Sequence, residues 1–248
     1  MARILCIANQ KGGVGKTTTA VNLSAALSRS GSRTLLVDLD PQCNATTGLG
    51  LSPTERHPLV VNDPFSRSVR QTRFTNLEVF PGSRCFQDVE TLARNEQMPT
   101  ATLRQHLDSG LSQYDYVLID CPPSLGRLTE TALTAATEVL MPIQCEYFAM
   151  EGLTQMIEVI RRVMANRPGR LQFGGIVLTM YDPCLELTRE VDQEVREFFG
   201  EIVFQTVVPR DVTVAEAPSH GCSVIDHAPR SRGARAYIEL CMEVLERD

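Results

Sequence analysis

Lysine is nearly missing from this 248-residue sequence, and long apolar runs are missing altogether. Lys11 and Lys16 are the only lysines, whereas the other 22 of the 24 basic residues are arginines. No segment approaches the roughly 18 to 20 uninterrupted apolar residues of a membrane-spanning helix, and the N-terminus leads directly into a strand-like run rather than into a signal peptide. We therefore expect a cytoplasmic protein without a membrane segment.

Paired metal ligands are also missing. The eight cysteines are scattered without a C-x-x-C pair, which predicts reduced thiols that pack in the interior rather than a metal or redox centre. The four histidines show no metal-binding spacing. A net charge of −6 excludes a generally cationic nucleic-acid binder, so any contact with DNA must come from a local patch or from the surface of a dimer.

Strand-like and helix-like segments alternate along the chain, of which 43% is hydrophobic. The predicted strands are 3–8, 33–38, 77–81, 114–123, 139–143, 173–180 and 202–208, and the main predicted helices are 17–28, 128–137, 150–165, 188–199 and 231–246. Residues 88–110 predict two helical segments broken at Pro99, and residues 51–75 show no clear periodicity. The expected fold is one α/β domain over residues 1–248, with a mainly parallel twisted sheet covered by helices on both faces.

The segment Gln10–Thr19 (QKGGVGKTTT) ends in the Gly-Lys-Thr of a phosphate-binding loop and lies between a predicted strand and a predicted helix. The backbone N–H groups of its loop, together with the helix N-terminus, would form a nest for phosphate oxygens. Lys16 would bring its charge to the terminal phosphates, and the Thr17 hydroxyl is a hard oxygen ligand for Mg²⁺. The nucleotide-binding residues predicted here are Gly12, Gly13, Val14, Gly15, Lys16, Thr17 and Thr18. A flexible glycine turn without a ligand is the alternative.

Three aspartates follow predicted strands. Asp120 ends the apolar run 117–119, where a carboxylate beside the loop can help to hold Mg²⁺. Asp38 and Asp40 flank Leu39 at the end of the second strand, and one of them could orient the attacking water in phosphoryl transfer. The alternative for this pair is loop capping without a catalytic role.

The motif K-G-G-V-G-K-T-T (11–18) resembles the deviant Walker A signature of the ParA/MinD group of P-loop ATPases. This resemblance implies ATP and Mg²⁺ as cofactors and an ATP-bound homodimer, in which Lys11 reaches the phosphates held by the other subunit and Lys16 serves its own nucleotide. It also implies that Asp40, in D-L-D-P-Q-C-N-A-T (38–46), is needed for hydrolysis and that Asp38 lies near Mg²⁺. An idle, solvated Lys11 remains the alternative.

Further motifs resemble the partitioning branch, ParA/Soj, including D-Y-V-L-I-D-C-P-P-S-L-G (115–126), V-P-R-D-V (208–212) and E-A-P-S-H-G (216–221). By this resemblance Pro209 and Arg210 contact the adenine, and Met180 lies near the same pocket. The resemblance implies partitioning of a chromosome or plasmid, a ParB-like centromere-binding partner with a basic tail, and association with the nucleoid.

Several positions depart from the family's pattern. Cys184, Thr213 and Cys222 stand where the partitioning ATPases often carry basic residues, the first two of which hold non-specific DNA, so DNA binding by the usual surface should be weakened or absent. Cys43 stands where the family usually has glycine. Two arginine clusters are candidate substitutes for the DNA contacts, although a solvated charged face is the simpler interpretation of both. The clusters are Arg67, Arg70 and Arg73, and Arg161, Arg162, Arg167 and Arg170.

Two other functions stay open at this point. A related ATPase that positions a protein array or a cell-pole complex would not need the DNA contacts. An iron–sulfur carrier of the same superfamily would need paired cysteines at a dimer interface, and Cys121 is the one conceivable ligand. A membrane-tethered relative of the MinD type is disfavoured, because the C-terminal segment YIELCMEVLERD is acidic and anionic lipid would repel it.

Overall fold

The computed structural model describes residues 2–85, 88, 91–92, 102–124, 126–147, 149–166 and 171–247. Its strands are β1 (Arg3–Ile7), β2 (Thr34–Asp38), β3 (Arg70–Gln71), β4 (Leu77–Phe80), β5 (Tyr116–Asp120), β6 (Glu138–Gln144), β7 (Gln172–Tyr181) and β8 (Val203–Pro209). Its helices are α1 (Lys16–Arg29), α2 (Asn44–Gly48), α3 (Pro58–Val61), α4 (Phe65–Ser68), α5 (Thr102–Asp108), α6 (Arg127–Ala135), α7 (Ala149–Asn166), α8 (Glu186–Phe199), α9 (Val212–Glu216), α10 (Val224–His227) and α11 (Arg232–Glu246). Short 3₁₀ turns occur at Leu111–Gln113, Gly200–Ile202 and Ala217–His220.

The described strands form one eight-stranded sheet in the order β3-β4-β2-β5-β1-β6-β7-β8. Only the two-residue strand β3 is antiparallel to its neighbour; the other pairs are parallel. In the centre of the sheet Asp120 pairs in register with Ile7 on one side and with Asp38 on the other. The carboxyl ends of β1, β2 and β5 therefore meet at one edge, which is where ligands bind in open α/β sheets.

Two apolar cores, one on each face, sandwich the sheet. Alternate residues of β1 point to opposite sides, so that Ile4 joins the core beneath α5, α6, α7 and α8, whereas Leu5 joins the core beneath α1 and α11. Strands buried on both faces read as continuous apolar runs rather than as alternating ones. The predicted fold class, a mainly parallel sheet covered on both faces, is confirmed.

The structure differs from the sequence-based prediction mainly between β2 and β5. Residues 51–75, which show no periodicity, contain α3, α4 and β3; these elements are too short for a period to be read. The His57 ring accepts a hydrogen bond from Leu59 N (3.2 Å) and caps α3, which has a proline at its start. Thr102–Asp108 is helical as predicted, but the predicted break at Pro99 lies outside the described residues.

Candidate nucleotide-binding site

The predicted phosphate loop connects the buried strand β1 to α1. Gly13 (φ 77°) and Gly15 (φ 87°) adopt left-handed backbone conformations, which glycine accepts without the steric cost of a side chain. Asn9 holds the loop at its start, since its amide donates to Pro142 O (2.8 Å) and accepts from Lys11 N (3.0 Å). Helix α1 begins at Lys16 and leaves its first N–H groups at the loop, as anion binding at a helix N-terminus requires.

Lys16 lies inside this loop and is 6% exposed. Its Nζ donates to the carbonyl oxygen of Lys11 at 2.8 Å. Burial lowers the pKa of Lys16, and the attraction of Asp120, Cys121 and Asp40 only partly opposes this shift. The ammonium group is therefore held by a neutral carbonyl rather than by a carboxylate.

Lys11 is paired within its own chain. Its Nζ lies 2.5 Å from Oε2 of Glu146, in the loop after β6, and both side chains are partly exposed. Glu146 also accepts a hydrogen bond from the side-chain amide of Gln144. In this conformation the charge of Lys11 is balanced by a carboxylate of the same chain.

Asp120 lies at the end of β5 and is fully buried. Neither of its carboxylate oxygens has a hydrogen-bond partner among the described residues. Burial, followed by repulsion from Asp38, raises the pKa of Asp120 well above its usual range, although the nearby Thr17 hydroxyl and Lys16 favour the charged form. A buried carboxyl group without a well-formed hydrogen bond is energetically costly, and it is a suitable ligand for a cation.

Asp38 faces Asp120 across the β2–β5 pair. It accepts from the Thr46 hydroxyl (2.6 Å) and from Thr46 N (2.8 Å). Burial nevertheless raises the pKa of Asp38 to about 6, with Asp40 adding to the rise. Thr46 therefore positions this carboxylate, which sequence analysis assigned only as support for the metal.

The donor set fits Mg²⁺. Thr17, Asp38 and Asp120 offer only hard oxygen ligands, and Asp120 has both oxygens unpartnered. No group of three or more His, Cys, Asp or Glu side chains in the described part of the chain is placed to hold a metal by itself. Mg²⁺ bound here would keep water and substrate oxygens as ligands, which is its usual mode in nucleotide sites.

Asp40 lies two residues beyond Asp38 and is 6% exposed. Its Oδ1 accepts from Gln42 N (2.9 Å), and its backbone carbonyl accepts from Cys43 N (2.8 Å). Cys43 itself has φ 56°. A left-handed residue at this turn explains physically why glycine would suit the position, and cysteine carries some strain there.

The three residues predicted for the adenine site come together beside the phosphate loop. Met180, Pro209 and Arg210 line a pocket of about 270 Å³ that also contains Gly15 and Thr18. Most of its surface is apolar, as a base-binding pocket requires. Arg210 N donates to Tyr181 O (3.1 Å), which fixes the end of β8 against the end of β7.

Sequence analysis missed several residues of this pocket, among them Thr179 and Tyr237. The Thr179 hydroxyl lies within hydrogen-bond distance of Val14 O (2.9 Å) and braces the phosphate loop from β7. Tyr237 of α11 reaches the pocket and contacts the Thr19 hydroxyl at 3.4 Å. Thr179 was detectable as a polar residue at a strand end beside Met180, but nothing local distinguishes Tyr237 from the other core residues of its helix.

The positions that lack the family's basic residues differ in exposure. Cys184 is exposed, whereas Cys222 is 5% exposed. The Thr213 hydroxyl donates to Asp211 Oδ1 at 2.8 Å, at the start of α9. All eight cysteines are free thiols in this structure; six are buried, Cys85 is half-buried and Cys184 is exposed, so interior packing does not extend to every one. The closest described contact between two of them joins Cys6 Sγ and Cys121 Sγ at 3.3 Å.

The described residues include only part of the two arginine clusters. Arg67 and Arg70 are exposed near the β3 edge of the sheet, and Arg73 packs over the Phe74 ring. Arg161 and Arg162 are exposed on α7, while Arg167 and Arg170 lie outside the described residues.

The fold and the loop define a P-loop nucleotide-binding protein, and the AAA domain family matches residues 2–173. The chain is 44% identical to the sporulation initiation inhibitor protein Soj of Bacillus subtilis, over 98% of each chain. It is also 44% identical to the chromosome partitioning protein ParA of Caulobacter vibrioides, over 99% of this chain and 95% of that one. The chain therefore belongs to the Soj/ParA family of chromosome-partitioning ATPases.

Solved structures agree with this assignment. Cobyrinic acid a,c-diamide synthase from Mycobacterium smegmatis, with bound ATP analogue and magnesium, superimposes with a TM-score of 0.85 at 32% identity, covering 100% of this chain and 96% of that one. The cell division ATPase MinD of Pyrococcus furiosus superimposes with a TM-score of 0.84 at 27% identity, covering both chains completely. None of the helices in the described ranges has the length and apolarity to cross a membrane.

Proposed function

We propose that this chain is an ATP-hydrolysing switch for partitioning of a chromosome or plasmid, with residues 1–248 acting as one domain. The observation that carries the proposal is the buried Lys16 in a strand-to-helix glycine loop, close enough to the buried carboxyl group of Asp120 for the two charges to attract each other. Such a site offers one cation for the phosphates and hard oxygen ligands for a metal, which are the groups that phosphoryl transfer requires.

ATP is the substrate that fits this site. The loop amides and Lys16 would hold its phosphates, while the pocket of Met180, Pro209 and Arg210 would take its base. Lys16 exchanges its hydrogen bond to Lys11 O for phosphate oxygens. Thr17, Asp38 and Asp120 would hold Mg²⁺, which would supply positive charge to neutralise the phosphates.

Asp40 is the residue that we assign to the attacking water. Its Oδ1 is fixed by Gln42 N, so the carboxylate has a defined orientation at the loop. Positioning of water accounts for much of the catalysis in this reaction class, because strong base chemistry is not required.

Lys11 links nucleotide binding to pairing of two chains. To reach the phosphates held by a second copy, it must leave Glu146, to which it is bound at 2.5 Å. Triphosphate carries more negative charge than a single carboxylate and would compete for the ammonium group. ATP would therefore favour the dimer, and hydrolysis, stimulated by a ParB-like partner, would release it. In the dimer the protein would associate with nucleoid DNA.

A second candidate is an ATPase of the same mechanism that positions a protein array or a cell-pole complex. The exposed, uncharged Cys184 favours it, as does the Thr213 hydroxyl, which is bound to Asp211 rather than available to phosphate. Each missing phosphate contact removes one counterion-release contribution to DNA affinity.

Two measurements test these proposals. Size-exclusion chromatography with light scattering should give a dimer with ATP and a monomer with ADP; a monomer in both states would refute the switch. Filter binding of the ATP-loaded protein to random DNA across a salt series should show binding that weakens with salt. No binding at low salt, together with an ATP-dependent dimer, would favour the second candidate.

A further inference from the structure

A shallow apolar groove lies between the C-terminal ends of α1 and α11. It has a volume of about 270 Å³ and is lined on the α11 side by Ile238, Cys241, Met242 and Leu245. Ile238 is 42% exposed and Met242 is 55% exposed, one helical turn apart. Two large apolar side chains at this spacing form an unpartnered stripe on the final helix.

Carboxylates border this groove. A second hollow shares Met242 with it and is lined by Gln205, Thr206, Glu239, Glu243 and Glu246. Both oxygens of Glu243 accept hydrogen bonds from the backbone N–H groups of Gln205 and Thr206 (2.8 and 2.6 Å). Glu239 and Glu246 are exposed, and neither has an ion-pair partner among the described residues.

Two nearby cations are already engaged. Arg29, which lines the groove, is paired with Asp226 at 2.8 Å. The Arg247 guanidinium lies 3.9 Å above the Phe204 ring and donates to Glu201 O (3.1 Å). The exposed Arg235 lies one turn before Glu239 on α11 and has no ion-pair partner among the described residues. The surface therefore combines exposed apolar side chains with an excess of negative charge, because three glutamates of α11 outnumber this one arginine.

We propose that this surface docks a cationic amphipathic segment of a partner protein. Apolar side chains of the segment would enter the groove, and its Lys or Arg residues would face Glu239 and Glu246, as in recognition of an amphipathic helix by a groove. A second copy of this chain would bring like charges together, and anionic lipid would be repelled in the same way. The charge pattern thus selects a basic peptide over both.

This surface is distinct from the nucleotide site. On α1 the groove is lined by Ala26, Arg29 and Ser30 at the C-terminal end, whereas Lys16 begins the helix. On α11 the groove residue Ile238 follows the pocket residue Tyr237, but Ile238 is 42% exposed and Tyr237 is buried, so the two side chains lie on different sides of the helix. Fourteen residues of α1 span about 20 Å. The proposal consequently stands whether or not the nucleotide switch acts as described above.

The test uses a short helical peptide of leucine and lysine that carries one tryptophan, and an isomer with glutamate in place of lysine. Because the protein has no tryptophan, the anisotropy of peptide fluorescence reports binding without background. We expect the lysine peptide to bind and the glutamate peptide not to bind. The double variants Ile238→Ser with Met242→Ser, and Glu239→Gln with Glu246→Gln, should each weaken binding about tenfold.

Phe198→Ser is the matched control, because Phe198 is 76% exposed on α8, on the other face of the sheet. It should leave peptide affinity unchanged, and all variants should melt within a few degrees of wild type because the substituted side chains are exposed. The proposal is overturned if the lysine peptide does not bind, if the two double variants bind it as tightly as wild type, or if the glutamate isomer binds equally well.

Discussion

The two ends of the parallel strands, called the amino edge and the carboxyl edge of the sheet here, differ in how their charged side chains are paired. At the amino edge Arg3 binds Glu138 through two parallel contacts of 2.7 Å, and Arg33 pairs with Asp115 at 3.0 Å. At the carboxyl edge Asp120 is buried without a hydrogen-bond partner among the described residues, and Lys16 is bound only to a carbonyl. At the carboxyl edge Lys11 is paired with Glu146, but Lys16 and Asp120 have no ion-pair contact within the described part of the chain, whereas the charged residues named at the amino edge are all paired.

This difference separates a structural role from a ligand-binding role. Paired charges lower each other's energy in the folded chain, so they stabilise it without any ligand. Buried charges without a partner lower the stability of the fold, and they are retained where a bound ligand neutralises them. The carboxyl edge is therefore the place where binding of a charged nucleotide and Mg²⁺ would relieve an existing electrostatic cost.

The largest expected effect is at the carboxyl edge. Lys16→Ala should weaken ATP binding by about 100-fold or more, because it removes a charge-assisted contact from a buried site. Titration with a fluorescent ATP analogue measures the affinity. Arg33→Ala, at the amino edge, should leave that affinity unchanged; equal loss in both variants would remove the distinction between the edges.

Asp40→Ala should reduce ATP hydrolysis by about 100-fold or more while ATP remains bound. Because hydrolysis releases the proposed dimer, the variant should accumulate as a dimer with ATP in light scattering. Asp115→Ala is the matched control and should hydrolyse ATP at the wild-type rate. A monomeric Asp40→Ala protein that binds ATP would contradict the role assigned to this residue.

The pH dependence of stability should have opposite signs at the two edges. Burial raises the pKa of Asp38 to about 6 from its usual 3.8, so its stabilising contribution is complete below about pH 4 and is lost as pH rises through about 6, a change of about 3 kcal/mol. Arg33 lowers the pKa of Asp115, so the contribution of Asp115 is present above its unfolded pKa and is lost as pH falls.

Urea unfolding between pH 4 and 7 checks this prediction in the nucleotide-free protein. Relative to wild type, Asp38→Asn should gain stability at pH 7 compared with pH 4. Asp115→Asn should show a smaller change of the opposite sign, because the Asp115 side chain is 45% exposed. Parallel pH profiles for wild type and Asp38→Asn would show that Asp38 does not carry this linkage.

The last prediction concerns the ion pair of Arg3 and Glu138 at the amino edge. Arg3→Ala should lower the free energy of unfolding by about 2–3 kcal/mol, since it leaves the half-buried Glu138 without its partner. ATP affinity of the folded variant should stay at the wild-type value. The double variant Arg3→Met with Glu138→Leu should recover much of the stability, and failure to recover would mean that packing of the Arg3 stem dominates.

Local sequence patterns were sufficient to predict the main strands and helices. The apolar runs of β1 and β5 and the Gly-Lys-Thr of the loop predict the central strands and a phosphate site beside Asp120, because parallel strands place their carboxyl ends at one edge. The role proposed for Asp38 at Mg²⁺ came from the family resemblance. The elements α3, α4 and β3 were not predicted, because segments this short do not show a hydrophobic period. Family resemblance, rather than any local pattern, supplied Met180, Pro209 and Arg210.

The amino-acid sequence by itself determined the fold class, the loop and the identity of the charged residues, because each depends on neighbours within a few positions. Only the tertiary structure decided which charges are paired. Glu146 lies 135 residues from Lys11, and Tyr237 lies 218 residues from Thr19. Contacts over such separations depend on how strands and helices are ordered in the sheet, which no local pattern records.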